Sequence, residues 1–375
     1  MKKVRIAFLA ATVLTLSGCV PHTELDKLAI AEMVGIDRDA DGCTVTLQYF
    51  NTDASGGVTA VDSSSPNAVT AKGRGKTVEA ALEAVSYTSG KEVMLGAAEM
   101  IVFGSGAADR LHDRLSFAAS HYTGNPRCYV TFTDGSAADI LNVKFTEGNA
   151  SVDKLEGMMK NAEALGLCRT LRLYEAMEML SEPTESLVMP MMTLYEANSD
   201  YTENGKSITF TGGALCTGGR FADKLTVSEM SGVHLLTTRG GTCEMTFAIG
   251  SEDARVMLYG ISAKVTPGLS EGTLTLRFDL SADCKYVGTS LTDPYRSRDK
   301  LRELCEQEMT ARATSALSKA LTTYGADIFG LSYKIRAHSP ALWQQIEGEY
   351  RDKLKAADIE VQTRVSIERF GTVHG

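Results

Sequence analysis

A long apolar stripe near the carboxyl end constrains the fold of this chain more than any other sequence feature. From Leu301 to Tyr324, apolar residues recur at the three- and four-residue spacing of one helix face. Asp293 is the predicted N-cap of this helix, and Pro294 is its predicted first residue. Because a helix with one apolar face must bury that face, the stripe predicts a β-sheet beneath it.

The segment that follows this helix supplies one strand of such a sheet. Between Ile359 and Ile367, apolar and polar side chains alternate along the chain. Alternation with a period of two is typical of a strand that buries one face. The same alternation predicts strands at residues 44–50 and 273–280.

Shorter patterns predict the remaining elements and hence the fold class. Buried strands are predicted at residues 100–103 and 129–133, and helices at residues 78–85, 111–118, 137–143, 152–162 and 171–177. Together the patterns predict a multi-domain α+β fold. Its sheets are expected to be mostly antiparallel and covered by helices, with the long carboxyl-terminal helix packed on one of them.

Proline and glycine positions predict where this fold divides. Pro183 and Pro190 break the helical pattern, and short strands separated by glycines follow at residues 206–245. The predicted division is a signal peptide at 1–18, an amino-terminal α/β domain at 19–200, a small middle sheet domain at 201–250 and a carboxyl-terminal α+β domain at 251–375.

The amino terminus has the pattern of an export signal. Lys2, Lys3 and Arg5 precede an apolar run from Ile6 to Leu16. A helix of that length reaches about 16 Å, which is too short for a hydrocarbon core of about 30 Å. The run therefore indicates a cleaved signal peptide and not a membrane span.

The end of this run predicts a lipid anchor on Cys19. Small residues at Ser17 and Gly18 come directly before the cysteine, and this pattern resembles the bacterial lipobox. We predict that the chain is cut before Cys19 and that its thiol carries a diacylglyceryl group, which would hold the protein on the extracytoplasmic face of a cell membrane. The alternative is an ordinary cleaved signal followed by an incidental cysteine.

Charge restricts the possible partners. Removal of residues 1–18 deletes three positive charges, which takes the formal net charge from −9 to −12. An acidic body argues against nucleic acid as a partner. It also argues against a polybasic attraction to anionic lipids, so the acyl chains must provide the anchoring.

Seven cysteines remain after Cys19, and none belongs to a CxxC pair. They are Cys43, Cys128, Cys168, Cys216, Cys243, Cys284 and Cys305. A zinc knuckle or redox pair is therefore not indicated. An odd number cannot all pair within one molecule, and several lie in apolar strand patterns, so mostly buried thiols are expected.

Two short motifs suggest ligand sites, but neither is complete. Gly73–Thr77 looks like the end of a phosphate loop, but Thr70 stands where that loop needs a glycine. Asp37–Gly42 looks like the start of a calcium loop, but position twelve would be Gln48 and not a bidentate glutamate. A turn into a helix and an Asp-Gly turn are the preferred interpretations, and no cofactor or metal is predicted.

No complete catalytic motif is found. The histidines are His22, His112, His121, His234, His338 and His374, and none stands in a metal-protease spacing. Ser270 lies in a GxSxG match at residues 268–272, but a predicted strand follows it, whereas the nucleophile turn of hydrolases leads into a helix. His121 and Cys128 are close in sequence, but nothing else supports a catalytic pair. The sequence therefore predicts a protein that is not an enzyme.

Several blocks, taken in order, resemble the Ger(x)C family, the lipoprotein C subunit of spore germinant receptors. The blocks are Glu24-Leu25, Leu28-Ala29-Ile30, Gly35-Ile36-Asp37, Gly75-Lys76-Thr77, Arg127-Cys128-Tyr129-Val130, Ala138-Asp139-Ile140-Leu141, Gly325-Ala326-Asp327-Ile328-Phe329-Gly330, Pro340 and Trp343. The most specific block is the carboxyl-terminal one, which also contains the single tryptophan.

The resemblance implies a non-enzymatic subunit on the outer surface of the spore inner membrane. Its expected partners are two integral-membrane proteins, the A and B subunits of a nutrient germinant receptor. The first alternative is an extracytoplasmic solute-binding lipoprotein of an import system, which would show two similar lobes. An envelope hydrolase comes last, because no nucleophile motif stands in the required strand-to-helix context.

Overall fold

Two β-sheets organise the chain. The structure, a computed structural model, describes residues 24–50, 68–120, 124–145, 151–196, 205–289 and 297–369. The first sheet has nine strands in the order β3-β2-β1-β5-β6-β7-β8-β9, with β4 paired to the start of β1. These strands are β1 Leu28–Asp39, β2 Gly42–Phe50, β3 Ala68–Gly75, β4 Glu92–Met94, β5 Met100–Phe103, β6 Tyr129–Thr133, β7 Leu187–Glu196, β8 Lys206–Thr217 and β9 Arg220–Leu225.

The centre of the first sheet is parallel and its flanks are antiparallel. Strands β1, β5, β6 and β7 pair in parallel, whereas β2 and β3 on one side and β8 and β9 on the other run antiparallel to their neighbours. Parallel strands need crossover connections, which place helices on the faces of the sheet. The predicted helix-covered sheet is confirmed, and its parallel centre is an addition to the prediction.

Helices cover both faces of this sheet. The helices are α1 Val78–Ser89, α2 Leu111–Ser120, α3 Ala137–Leu141, α4 Ser151–Ala164 and α5 Leu173–Leu180. Apolar side chains of α1, α2 and α5 share one core with the sheet, and those of α3 and α4 share another on the opposite face. The first sheet is therefore the middle layer of an α/β/α sandwich.

The second sheet carries the long helix that the sequence predicted. Its strands are β10 Cys243–Ile249, β11 Glu252–Ser270, β12 Thr273–Thr289 and β13 Asp358–Arg369, in that order across the sheet. Helix α7, Arg298–Leu317, packs its apolar face into the core of this sheet. The predicted cap at Asp293 and Pro294 lies outside the described residues. A π-helical turn, Ser318–Thr323, continues α7.

The small separate sheet that was expected at residues 206–245 does not form within the described part of the chain. Strand β8 instead pairs along β7, from Leu187 opposite Cys216 to Glu196 opposite Lys206, and so extends the first sheet. Strand β10 joins the second sheet. Between them lies helix α6, Val227–Thr237, which was not predicted. The domain boundaries themselves stay a prediction.

Helix α6 connects the cores of the two sheets. Its buried residues Met230 and Val233 share one apolar core with Leu215 of β8 and with Ala313 and Leu317 of α7. Short helices α8 Leu331–His338, α9 Pro340–Ile346 and α10 Tyr350–Lys355 complete the carboxyl-terminal layer. Among the described helices, none is long and apolar enough to cross a membrane.

Candidate functional site: the joint between the two sheets

Cys19, the one site residue predicted from the sequence, lies outside the described residues. The first residue that the structure describes is Glu24, which precedes a 3-10 turn at Leu25–Lys27. Lipidation of Cys19 therefore stays a prediction. The described part of the chain does test the other motifs that the sequence singled out.

The glycines of the apparent phosphate loop allow a helix to approach a strand closely. Gly73 and Gly75 lie in β3, and Thr77 is the N-cap of α1, accepting a hydrogen bond from the Ala80 amide (3.2 Å). A Cβ at Gly73 would overlap the Ala81 carbonyl oxygen. The segment is thus a turn into a helix, as the sequence predicted.

The acidic side chain that begins the apparent calcium loop caps a helix. The Asp37 carboxylate accepts hydrogen bonds from the Ser136 hydroxyl (2.9 Å) and from the amides of Ala137 (2.7 Å) and Ala138 (3.1 Å). These donors form the start of α3, where a negative charge is favourable. Within the described ranges, no group of three potential metal ligands occurs.

The cysteines behave as buried apolar residues. All seven cysteines of the described chain are buried free thiols, in agreement with the sequence-based expectation. Burial raises the pKa of Cys128 and of Cys168 to about 12, so both thiols are protonated near neutral pH. His121, the imagined partner of Cys128, lies outside the described residues.

His234 is buried and has a structural role. Its Nε2 lies 2.9 Å from the Thr242 carbonyl oxygen, and its Nδ1 lies 3.2 Å from the Thr238 hydroxyl. Burial lowers the pKa of His234, which favours the neutral imidazole. Both ring nitrogens contact protein groups, and these contacts fix the end of α6.

The strongest polar constellation joins the carboxyl-terminal family block to the first sheet. We call it the joint: residues 182–186, between α5 and β7, and residues 325–351. At its centre, buried Asp327 accepts hydrogen bonds from the amides of Phe329 (3.2 Å), Leu331 (2.9 Å) and Ser332 (2.7 Å) and from the Tyr350 hydroxyl (2.8 Å). One carboxylate thus organises the turn into α8 and holds α10 against it.

Two contacts at the centre of the joint reach buried Thr184, one at its side chain and one at its backbone. The Asp327 amide donates to the Thr184 hydroxyl (3.2 Å), and Arg351 donates to the Thr184 carbonyl (2.8 Å). Gly325, at φ +60°, allows the chain to turn beside Arg351. These contacts tie the start of β7 to the carboxyl-terminal helices.

A half-buried ion pair forms the second part of the joint. An Arg336 nitrogen lies 2.6 Å from each Glu182 carboxylate oxygen, and the Ser332 hydroxyl donates to the same carboxylate (2.7 Å). The Arg336 guanidinium also lies 5.3 Å from the Trp343 ring centroid, at cation–π distance. Trp343 in turn meets the Tyr350 ring edge-on at 5.1 Å.

Burial and the negative charge of Asp327 raise the pKa of Tyr350. The phenol therefore stays a hydrogen-bond donor to Asp327. Asp327, Glu182 and Arg336 are each held by other protein groups, which is the arrangement of a structural connection. Both sides of the joint are attached to elements that pack into the cores of the two sheets.

A second polar feature, on β1, makes stability depend on pH. Burial, followed by the charges of Asp153 and Glu99, raises the pKa of Glu32 from 4.5 to about 7. One Glu32 carboxylate oxygen is buried without a hydrogen-bond partner among the described residues. Since the folded pKa exceeds the unfolded one, the stability that protonated Glu32 contributes is complete below about pH 4.5 and is lost as pH rises through about 7.

We therefore predict that Glu32→Gln raises the free energy of unfolding at about pH 8 by about 1–2 kcal/mol, after allowance for solvent screening. It should also flatten the fall in stability between about pH 5 and pH 8. Urea denaturation across this pH range measures both effects. Glu92→Gln, which removes an exposed carboxylate from neighbouring β4, is the control. Equal effects of the two substitutions would contradict the assignment to Glu32.

Comparison with known proteins identifies two adjoining family regions. Residues 21–194 match the model described as "Spore germination protein N-terminal domain". Residues 211–371 match the model described as "Spore germination B3/ GerAC like, C-terminal". The joint contains residues from both regions, since Glu182 and Thr184 belong to the first, and Asp327 and Arg336 to the second.

One solved structure supports the same fold. The crystal structure of the GerBC protein matches with a TM-score of 0.56 and 17% identity, covering 92% of this chain and 100% of that one. At this identity the likeness concerns the fold. No curated protein sequence matches the chain.

Proposed function

Because the chain belongs to the Ger(x)C family of spore germination proteins, we propose that it is the lipid-anchored C subunit of a nutrient germinant receptor. The observation that carries this proposal is the pair of family matches, which extend from residue 21 to 194 and from 211 to 371. A shared fold alone does not define a function, so the family match is the stronger support.

In the proposed receptor the protein is held by two acyl chains on Cys19 and faces away from the cytoplasm. In a spore that position is the outer surface of the inner membrane. Its partners are the two integral-membrane subunits, A and B. The support for the anchor is the sequence pattern around Cys19, and the support for the partners is the family.

The proposed role is assembly and coupling, not catalysis. The family is one of receptor subunits and is not known as an enzyme family. The joint suits such a role, because a contact made at one sheet would be carried to the other through Asp327 and Arg336. Nucleic acid is not a proposed partner, given the acidic body.

Substitution of the anchor tests the proposal. In Cys19→Ala cells, we expect at least about a tenfold fall in the membrane-bound fraction, because no acyl chain can be attached. Nutrient-triggered germination should fall with it. Fractionation, mass spectrometry of the amino-terminal peptide and germination assays measure these effects. Val20→Ala, one residue away, is the matched control. A Cys19→Ala protein that stays membrane-bound and germinates fully would contradict the proposal.

The solute-binding alternative gains no support from the architecture. It predicts two similar lobes, whereas the first sheet has nine strands with a parallel centre and the second has four. Calorimetry with candidate nutrients and the isolated protein would test it directly. Tight binding to the protein alone would favour a solute-binding function.

A further inference from the structure

One end of the molecule carries exposed apolar side chains close to the predicted anchor. We call it the proximal end: the turn Leu25–Lys27, Phe50 at the end of β2, and residues 87–92 around the end of α1. Tyr87 is 89% exposed, Leu25 60% and Phe50 49%. Large apolar side chains with such exposure at one end of a molecule are candidates for contact with a membrane or a partner.

Strand pairing brings these three segments to the same end. Strand β4 starts beside β1, with Leu28 opposite Glu92. The Lys91 ammonium donates to the Asp26 carbonyl (2.8 Å), which ties the turn after α1 to the turn before β1. Tyr87 lies in the last turn of α1, which Gly90 ends at φ +69°.

Phe50 reaches the same end because β2 runs antiparallel to β1. Tyr49 lies opposite Ala31, which places Phe50 near the first residues of β1. The other end of the parallel strands lies far along the sheet, where β7 finishes at Tyr195 and Glu196. The proximal end is therefore distinct from the carboxyl ends of the central strands.

Chain length ties the proximal end to the membrane if Cys19 is acylated. From Cys19 to Glu24 there are five residue steps, which span at most about 17 Å when fully extended. Acyl chains on Cys19 hold its backbone at the headgroup region. The first described residue must then lie within that distance of the bilayer surface.

The chemistry of the proximal end fits the interface of a bilayer. Tyrosine is enriched at membrane–water interfaces, because its ring is apolar and its hydroxyl is polar. Lys27 forms an ion pair with Glu24 (2.8 Å). With Asp26 and Glu92 also present, the lysines provide no excess positive charge. Contact would thus depend on apolar insertion and not on attraction to anionic lipids.

We propose that the proximal end rests on the lipid bilayer, with the Tyr87 ring and the Leu25 and Phe50 side chains in the headgroup region. This inference rests on the proposed anchor at Cys19. It orients the molecule, because the carboxyl ends of β1, β5, β6 and β7 then point away from the membrane. The two sheets would stand beside the integral-membrane partners in one defined orientation.

Tryptophan placed at two positions tests this orientation. The acylated full-length protein is reconstituted in phosphatidylcholine–phosphatidylglycerol vesicles that contain lipids brominated near the headgroup. For Tyr87→Trp we expect the brominated lipids to reduce the fluorescence emission of the introduced tryptophan by about twofold. Tyr195→Trp, 47% exposed at the opposite end of the strands, is the matched control and should keep its emission. The parent protein, with Trp343 alone, gives the background.

Three further outcomes separate this inference from the anchor. If Tyr87→Trp protein sediments with vesicles but is quenched no more than Tyr195→Trp, the bilayer contact is wrong and the anchor stands. If the tryptophan at position 87 becomes shielded from water only when integral-membrane partners are present, the bilayer contact is likewise wrong. If the protein does not sediment and Cys19 is unmodified, the anchor itself fails.

Discussion

Replacement of Asp327 by alanine is expected to lower the free energy of unfolding by about 3–5 kcal/mol. The carboxylate accepts four hydrogen bonds, three of them from backbone amides, and it is only 4% exposed. Alanine would leave those buried donors without an acceptor, and each unsatisfied donor costs about 1–3 kcal/mol. Urea or guanidinium denaturation of the mature protein measures the effect.

Two companion variants define what Asp327 contributes. Asp279→Ala removes an exposed carboxylate from β12 and should change stability by less than about 0.5 kcal/mol. Asp327→Asn keeps one acceptor oxygen but turns an NH₂ group toward donors, so an intermediate loss is expected. If Asp327→Ala costs no more than Asp279→Ala, then Asp327 does not organise the joint.

Gly232→Ala is expected to destabilise the protein by about 2–4 kcal/mol. A Cβ at this position on α6 would overlap the Arg312 carbonyl oxygen and lie 2.9 Å from the Ala316 Cβ on α7. Backbone atoms cannot move aside as a flexible side chain can, so the two helices would have to separate. Thermal and chemical denaturation would both show the loss.

The control substitution should change the free energy of unfolding in the opposite direction. Gly157 lies in α4, and a Cβ there meets no atom within 4 Å. Gly157→Ala should therefore stabilise the protein by up to about 1 kcal/mol, through helix propensity and a less flexible unfolded chain. If both alanines stabilise, then α6 and α7 are not in the close contact described here.

Strong periodicity explains why much of the fold is predictable from the sequence. Only a helix can place the apolar residues from Leu301 to Tyr324 on one face. Only a strand can do so for the alternating residues from Ile359 to Ile367. Helix α7 and strand β13 lie where these patterns predict them. Local patterns do not specify which strands become neighbours, so the parallel centre of the first sheet was not anticipated.

Helix α6 and strand β7 show where local patterns mislead. Buried residues occur all around α6, and its glycine and β-branched residues are weak helix formers. The sequence did contain one sign of this helix, the Thr-x-x-Glu spacing of Thr226 and Glu229. In the structure these two residues form a capping box at the start of α6. The sequence predicts a break at Pro190, but this residue lies within β7, at an irregularity in the pairing with β8.

The joint could be predicted only in part. Asp327 and Trp343 lie in the block that resembles the Ger(x)C family, so the sequence drew attention to this block but assigned neither residue a role. Glu182 and Arg336 were not singled out, because they are 154 residues apart and no local pattern connects them. Only the folded chain brings the turn before β7 to the carboxyl-terminal helices.

The border between the two family regions crosses a hydrogen-bonded sheet. The first region ends at residue 194, yet β8 and β9 are the strands that cover the outer side of β7. A polypeptide that stopped at the border would expose unpaired amides and carbonyls along β7, a template for intermolecular strand pairing. Part of the second region thus completes the sheet of the first, so we expect the first region to be prone to aggregation when it is produced alone.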